Sequence, residues 1–339
     1  MSGPLDGMRV LDAGIWRPLP HATRLLADLG ARVTSLEPPG GDPMRAFRDL
    51  FADLAHGKEH VEVDLRTGAG RARVLELAAG ADVFTEGWRP GVAARLGLAY
   101  DDLRAVNPAI VYCSVSGYGQ TGPLATRPGH DVVYQAHAGA LWPRPGDPPQ
   151  PRIPRVPVAD LATATMAAFV VTAAWARRVR TGEGAYIDLA MADVVASWVG
   201  PHDATAVAGR DEPLSGAAGY GLFRCADDRH VAIAVIAEDH LWRAVCDALG
   251  LDGLRDLAFA DRNARVDECN AAVARAVRAL PAADALGRLV AAGAPAAPVL
   301  APSEMAREPH FRERGVVVER DGAPGVGFPA RFGGPQHRG

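Results

Sequence analysis

The segment MRVLDAGIWRPLPHATRLLADLGARVTSLEPP, residues 8–39, decides the fold that we expect for this chain. Residues 8–14 predict a strand, residues 21–30 predict a helix that ends at Gly30, and residues 31–39 predict a second strand. A strand, a helix and a strand in this order form a βαβ unit, whose two strands run parallel. The segment therefore predicts an α/β fold built on a parallel sheet.

The same alternation continues along the next eighty residues. HVEVDLR (60–66), DVFTEGW (82–88) and AIVYCSVSGYG (109–119) predict three more strands, and AGRARVLELAAGA (69–81) predicts a helix between the first two. Alternating strands and helices favour a parallel sheet that is covered by helices on both faces. We therefore expect a Rossmann-like large domain.

Beyond residue 160 the pattern indicates a second, smaller domain. A long buried helix to about Arg178 and the strand AYIDLAM (185–191) lead into a Gly-rich passage, after which the chain predicts a hairpin and three helices, an α+β module. We assign residues 1–197 and about 305–339 to the large domain and about 215–304 to the small domain, with linkers near 198–214 and 295–305.

Composition narrows the possible partners and location. The formal net charge is −4, the pI is near 6.2 and the arginines are spread along the chain, which argues against a nucleic acid or an anionic membrane as partner. The longest nearly apolar run, residues 161–176, is too short to span a bilayer. The chain begins without a recognisable signal peptide, so we expect a cytoplasmic protein.

Metal binding is not expected. The four cysteines show no C-x-x-C spacing, which fits a reducing compartment without structural zinc. No H-E-x-x-H motif occurs either. The cysteines are Cys113, Cys225, Cys246 and Cys269.

Basic residues near successive strand ends suggest a phosphorylated ligand. GYGQTG (117–122) matches the dinucleotide pattern G-x-G-x-x-G, but Pro123 follows where a helix is required, so the match is weak. Four cations lie where they could instead meet a phosphate at the carboxyl edge of the sheet, although exposed charges on loops are the better explanation for any single one of them. These cations are Arg17, Lys58, Arg89 and Arg95.

Three acids and a histidine are candidates for chemistry. Asp160 stands before an apolar helix, where an N-cap role worth about 1 kcal/mol competes with catalysis. His130 and Asp131 are neighbours and cannot aim at one point, so one of them can face a substrate while the other supports it. Glu238 ends an apolar strand and precedes a helix, where the helix dipole favours an acid.

Five long segments taken in register resemble the family III CoA-transferases and their relatives, the α-methylacyl-CoA racemases. The resemblance runs from residue 4 to about 195 and continues more weakly through the small module. It implies coenzyme A as the bound nucleotide, no cofactor beyond it, and a homodimer of two interlocked rings. The segments are PLDGMRVLDAG, LLADLGARVTSLEPPGGDPMR, VEVDLRTGAGRARVLELAAGADVFTEGWRPGVAARLGL, NPAIVYCSVSGYGQTGP and TGEGAYIDLAMADV.

The resemblance also implies roles for the candidate residues. Gly129-His130-Asp131 resembles the racemase branch, in which His130 and Asp160 would flank the substrate α-carbon while Asp131 and Glu238 support them. In the transferases the aspartate that matches Asp160 attacks the thioester and becomes a mixed anhydride, then an aspartyl-CoA thioester. We place Trp88 and Gly119 with the four cations as expected coenzyme contacts.

The sequence favours a racemase or epimerase of 2-methylacyl-CoA thioesters that works by proton transfer through an enolate. Its Gly216–Gly221 segment lacks the unbroken glycine run that shields a transferase intermediate. The alternative is a family III CoA-transferase with Asp160 as nucleophile, and a third possibility is an acyl-CoA binder without catalysis. The turn Leu161–Ala164, where racemases carry glycines, leaves the acyl chain undefined.

Overall fold

A six-stranded parallel sheet organises the first part of the chain. The computed structural model describes residues 3–143, 149–202, 217–320 and 323–332. The sheet has the strand order β3-β2-β1-β4-β5-β6, the doubly wound arrangement that the sequence predicts. Its strands are β1 (Arg9–Ala13), β2 (Arg32–Glu37), β3 (Lys58–Glu62), β4 (Val83–Glu86), β5 (Val111–Ser116) and β6 (Ala185–Ala190).

Eight helices join and cover these strands. Alternate residues of each strand enter cores on opposite faces: Val111 and Cys113 of β5 lie in the core against α1, α7 and α8, whereas Tyr112 lies in the other core. The helices are α1 (Pro18–Asp28), α2 (Arg48–Ala55), α3 (Gly68–Ala79), α4 (Val92–Leu96), α5 (Tyr100–Val106), α6 (Asp131–His137), α7 (Val158–Thr181) and α8 (Met191–His202).

Helix α7 is longer than its sequence suggested. Its 24 residues are long and apolar enough to cross a membrane by length and composition alone, so the expectation that this segment is too short was wrong. One side of the helix contributes Ala159, Ala164, Ala167 and Val171 to the core beneath the sheet. We therefore interpret α7 as the central helix of this core.

The described chain divides into two compact units. The first contains residues 3–142, 150–202 and 325–332, and the second contains residues 143, 149, 217–320, 323 and 324. The second unit has its own apolar core around Trp242, Ile233 and Leu289. An antiparallel sheet of strand order β7-β8-β9 lies in it, with the hairpin and helices that the sequence predicts.

The remaining elements follow in chain order. The strands are β7 (Tyr220–Arg224), β8 (His230–Ala234), β9 (Ala296–Pro298), β10 (Val317–Arg320) and β11 (Ala323–Val326). The helices are α9 (Asp239–Leu249), α10 (Phe259–Ala264), α11 (Val266–Arg278), α12 (Ala282–Ala291), α13 (Pro302–Met305) and α14 (Pro309–Glu313).

The domain limits differ from the predicted ones at three places. Residues 296–298 form strand β9, because a proline is tolerated on an edge strand, so 295–305 is not simply a linker. Helices α13 and α14 and strand β10 belong to the second unit, so the tail rejoins the first unit at 325 instead of about 305. Helix α8 extends to His202, and most of the predicted linker 198–214 lies outside the described residues.

Candidate active site

The candidate site lies at the carboxyl edge of the parallel sheet. The chain runs outward from β1 to β2 and β3 and then returns across the sheet to β4, so the loops after β1 and β4 leave in opposite directions. Open α/β sheets bind ligands in the crevice that such a reversal creates. Arg17 follows β1 and Arg89 follows β4, and both exert an electrostatic effect on side chains of this edge.

Asp160 lies in the first turn of α7 and is not its N-cap. The N-cap is Pro157, and Asp160 is the third helical residue, so the N-cap role that competed with catalysis is wrong. The helix begins earlier than predicted because proline, whose φ is restricted, fits the residue before the first turn without a hydrogen bond of its own. The Asp160 carboxylate is therefore free from that structural task.

The Asp160 carboxyl is half-buried and holds its proton more tightly than an ordinary aspartate. Burial raises its pKa from 3.8 to about 6, and the neighbouring Asp131 carboxylate acts in the same direction, whereas Arg17 and His130 oppose both. Arg17 lies just before α1, whereas His130 and Asp131 lie at the start of α6. The structure thus brings Arg17, His130, Asp131 and Asp160 into one electrostatic neighbourhood.

Asp131 contacts the peptide of Asp160. Its Oδ1 accepts the Asp160 backbone N–H at 3.1 Å, and its Oδ2 accepts Gln135 Nε2 at 2.5 Å. In the described part of the chain neither oxygen bonds to His130, so the hypothesis that Asp131 holds His130 in place finds no support here. The contact also occupies the Asp160 N–H, which is therefore not available to a ligand.

His130 forms the N-cap residue of α6 and its ring is exposed. The Trp16 indole meets it edge-on, with ring centroids 6.1 Å apart. Trp16 has a φ of 65°, which is strained for a bulky side chain, and strain of this kind is typical of functional sites. The strained loop after β1 therefore brings an aromatic wall to the histidine.

Three site residues had no role in the sequence analysis: Trp16, Tyr134 and Gln135. Tyr134 is buried against Gly117, where an added Cβ would lie 2.5 Å from the tyrosine ring. Burial, and then the neighbouring Tyr118 and Asp160, raises the Tyr134 pKa. Gln135 lies four residues after Asp131 on α6. Side chains at this spacing are neighbours on a helix, so a predicted helix here would have indicated the hydrogen bond between Gln135 and Asp131.

Five of the six expected coenzyme contacts follow strands at the carboxyl edge. Arg17 precedes α1, Trp88 and Arg89 come after β4, and Arg95 lies in α4. Gly119 follows β5 with a φ of +82°, which requires glycine, and the next N–H, that of Gln120, donates to Asp188. Their placement suits an extended anionic ligand, and their contacts with coenzyme A stay predictions.

Lys58, the sixth expected contact, has a structural role. Its side chain is 2% exposed and its Nζ donates to the carbonyl of Pro20 at 2.7 Å and to Thr23 Oγ1 at 2.8 Å. The Asp12 carboxylate lies 3.7 Å away. Lys58 begins β3, and its amine is held by groups inside the protein, so the expected contact with coenzyme A gains no support from this arrangement and stays a prediction.

Glu238 lies in the second unit, where it is the N-cap residue of α9. Its Oε2 accepts the Ile236 N–H at 3.1 Å, and backbone donors, its own first, hold the pKa of this exposed carboxyl below its usual value. The supporting role that the resemblance implies for Glu238 stays a prediction.

Comparison with known proteins places this geometry in a family. The model of CoA-transferase family III matches residues 5–338. An acetyl-CoA:oxalate CoA-transferase of Acetobacter aceti is 34% identical over 98% of this chain and 90% of its own length. A succinate–glutarate CoA-transferase of Agrobacterium fabrum is 31% identical over 96% of this chain and 87% of its own length.

Solved structures agree with the sequence matches. The crystal structure of Rv3272 from Mycobacterium tuberculosis, a probable fatty acyl-CoA transferase, superimposes with a TM-score of 0.85 at 31% identity, covering 98% of this chain and 94% of that one. A CAIB/BAIF family protein from Brucella suis gives a TM-score of 0.84 at 29% identity, with coverages of 98% and 93%. The chain belongs to CoA-transferase family III.

Proposed function

We propose that the protein is a CoA-transferase that moves coenzyme A from an acyl-CoA to a free carboxylic acid, with Asp160 as nucleophile. The observation that carries the proposal is the half-buried Asp160 carboxylate at the start of α7, which performs no capping task and has a pKa of about 6. The transferase names of the relatives support this reading over the racemase that the sequence alone favours.

The reaction proceeds by two exchanges at Asp160. The carboxylate attacks the thioester carbonyl and expels CoA thiolate, which leaves an acyl-aspartyl anhydride. The thiolate then attacks the aspartyl carbonyl and releases the first acid, which leaves an aspartyl-CoA thioester. The second acid repeats both steps in reverse order, so that the new acyl-CoA departs and the Asp160 carboxylate is restored.

The environment of Asp160 suits this role. With a pKa of about 6 the carboxyl is mostly ionised at neutral pH, yet it is more basic than an exposed aspartate and less well solvated. Each addition puts negative charge on a carbonyl oxygen, and fixed positive charge nearby stabilises that charge. Arg17 and His130 are the cationic and polar groups within electrostatic reach of Asp160.

The acceptor class follows from the same charges and from the relatives. The curated names of relatives include oxalate, glutarate and mesaconate as acids. Arg17 beside Asp160 and Arg89 beside Tyr134 offer guanidinium groups to carboxylates at this edge. We propose a short dicarboxylic acid as one of the two exchanging acids.

The test is an isotope exchange. Purified protein is incubated with succinyl-CoA and labelled glutarate or mesaconate, and with acetyl-CoA and labelled oxalate, and the label is followed into the thioester. We expect transfer by the wild type and none by Asp160→Asn, which keeps the size of the side chain. Transfer that persists in this variant contradicts the proposal.

A racemase remains the second candidate because His130 and Asp160 lie in one electrostatic neighbourhood. Inversion of an α-carbon needs two groups that exchange protons, and an imidazole with a carboxylate meets that need. In D₂O a racemase washes deuterium into a chiral 2-methylacyl-CoA as optical purity is lost. A transferase moves labelled acid into the thioester without such wash-in.

Assembly and location complete the proposal. We propose a homodimer in the cytoplasm that binds acyl-CoA and no other cofactor. Light scattering on the purified protein gives its oligomeric state, and a monomer at micromolar concentration contradicts the dimer.

A further inference from the structure

We infer that Asp131 is the positioning residue of the Asp160 nucleophile, acting through the Asp160 peptide and through its own charge. The inference rests on the proposed function and adds a role that differs from the support of His130 implied by the racemase resemblance. It follows from two hydrogen bonds that join α6 to the start of α7.

The first bond satisfies a donor that the helix cannot satisfy itself. The first backbone N–H groups of a helix have no partner one turn earlier, and the first bond within α7 is the one from Leu161 N–H to the carbonyl of Pro157. The Asp160 N–H precedes it and donates to Asp131 Oδ1 at 3.1 Å. A side chain from α6 thus performs the capping that neither Pro157 nor Asp160 performs.

The bond holds the peptide that carries the nucleophile and leaves the Asp160 carboxylate without a partner in its own helix. An acid in the first turn commonly folds back to bond the free N–H groups of its own helix. Here the N-cap residue Pro157 has no N–H to offer and Asp131 takes the N–H of Asp160. Within the described residues the Asp160 carboxylate accepts no hydrogen bond from a side chain. Its oxygens are left for a substrate carbonyl at the sheet edge.

The second bond fixes Asp131 itself. Gln135 is 1% exposed, and its Nε2 donates to Asp131 Oδ2 at 2.5 Å from one turn further along α6. The two oxygens of Asp131 therefore bridge a buried amide and the first turn of α7. A carboxylate held at both oxygens keeps one rotamer, and α7 keeps one position relative to α6.

The bridge also places a second negative charge beside Asp160. The charged and titratable groups that influence the pKa of Asp160 are Asp131, Arg17 and His130. Asp160 in turn raises the pKa of Tyr134. Asp131 opposes ionisation of Asp160, whereas Arg17 and His130 favour it. Asp131 thereby makes the nucleophile more basic, which strengthens its attack on a thioester.

The test compares Asp131→Asn and Asp131→Ala with the wild type in pH profiles of kcat/KM for CoA transfer. The fall of activity at low pH reports protonation of Asp160 in the free enzyme. Both variants remove the charge, so this fall should move to lower pH in both. Asparagine retains an acceptor for the Asp160 N–H, so only the alanine variant should also lose about tenfold to a hundredfold at the plateau.

Asp101→Asn is the matched control, because Asp101 is an exposed acid in the first turn of α5 in the same unit. It removes the same charge and should leave the profile unchanged. Thermal unfolding shows whether Asp131→Ala folds. If it does not fold, Asp131→Asn still tests the effect of the Asp131 charge on Asp160. An acid limb that stays at the wild-type pH in Asp131→Asn overturns the inference.

A readout without activity separates this inference from the proposed function. The Asp160 carboxyl carbon is observed by NMR in protein with labelled aspartate and assigned by its absence in Asp160→Asn. Its titration should move to lower pH in Asp131→Asn. If it moves and no acid is exchanged, the proposed function fails while the coupling of the two carboxylates stands; if it does not move, the inference fails.

Discussion

Asp12 and Asp160 are two carboxylates of the same sheet-centred unit with opposite surroundings. Asp12 is fully buried on β1, where its oxygens accept the Gly14 N–H at 2.9 Å and the hydroxyls of Thr85 at 2.8 Å and Thr23 at 2.6 Å. Lys58 adds a positive charge 3.7 Å away. Asp160 is half-buried and has another carboxylate beside it.

The contrast shows what separates a structural acid from a reactive one in this fold. A buried carboxylate is stable when donors satisfy its lone pairs and a cation balances its charge. Asp12 has both, so its burial serves the packing of β1, β4 and α1. Asp160 is partly desolvated and set against a like charge, and groups with such shifts are typical of active sites.

The largest effect that should sharpen this contrast is the loss of activity in Asp160→Asn. We expect CoA transfer to fall by a factor on the order of 10³ or more, because the variant lacks the atom that becomes acylated. Circular dichroism should show an unchanged fold, since Asp160 caps no helix. Retention of more than a few per cent of activity in a rate assay would place the reactive group elsewhere.

The next effect concerns stability at the other carboxylate. Lys58→Met leaves Asp12 buried without its cation and should lower the free energy of unfolding by about 3 kcal/mol, measured by urea titration. The control is Arg32→Met, which breaks the exposed ion pair with Glu59 and should cost less than about 1 kcal/mol. Equal losses in the two variants would remove the distinction between buried and exposed pairs.

Lys58 offers a second check, because it is the single lysine of the sequence. Its burial, opposed by the nearby Asp12, lowers the pKa of the amine. An amine-selective reagent should leave Lys58 unmodified in the folded protein and modify it after unfolding in urea.

The smallest expected effect is a pH-dependent gain in the free energy of unfolding when Asp160 is replaced by asparagine. Folding raises the Asp160 pKa from 3.8 to about 6, so between these pH values the folded protein binds more protons than the unfolded chain. The contribution of this group to the free energy of unfolding therefore falls as pH rises through that window and stays lost above it. Asp160→Asn should be more stable than wild type at pH 8, on the order of 1 kcal/mol.

The advantage of this variant should disappear near pH 4, where wild-type Asp160 is protonated in the folded state. Thermal melts at both pH values measure it. A variant that is less stable than wild type at pH 8 would mean that ionised Asp160 stabilises the fold, which contradicts the contrast with Asp12.

The sheet could be predicted from the sequence because each strand and helix carries its own pattern. Residues 8–39 gave β1, α1 and β2 within a few residues. The limits of the second unit were harder to predict. Ala296–Pro298 looks like a proline-rich linker and pairs with β8 only in the folded protein. Long-range pairing of a three-residue strand leaves no local pattern.

The sequence predicted which residues form the site but not the hydrogen bonds between them. The resemblance indicated His130 and Asp160, and the structure brings them together. It did not indicate that Asp131 bonds to the Asp160 peptide, because a contact between helices 29 positions apart depends on packing. Lys58 was expected to contact the coenzyme because it lies next to a predicted strand. The sequence does not show the direction in which its side chain points.

The choice between racemase and transferase also lay beyond the sequence pattern. The interrupted glycines near 216–221 favoured a racemase, whereas the relatives are named as transferases. Gly216 lies outside the described residues. Gly219 has a φ of +83°, and a Cβ added there would lie 3.1 Å from the Trp242 ring, so the fold favours glycine at this position. At least one of these glycines therefore has a structural reason that is independent of either reaction.

The most direct measurement of the central claim is the mass of the protein after reaction with an acyl-CoA alone. Acid quenching and peptide mapping should reveal a gain equal to coenzyme A less one water on the peptide that contains Asp160, and hydroxylamine should remove it. Asp160→Asn should show no gain. An adduct on another residue, or an unmodified wild type that still exchanges labelled acid, would contradict Asp160 as the nucleophile.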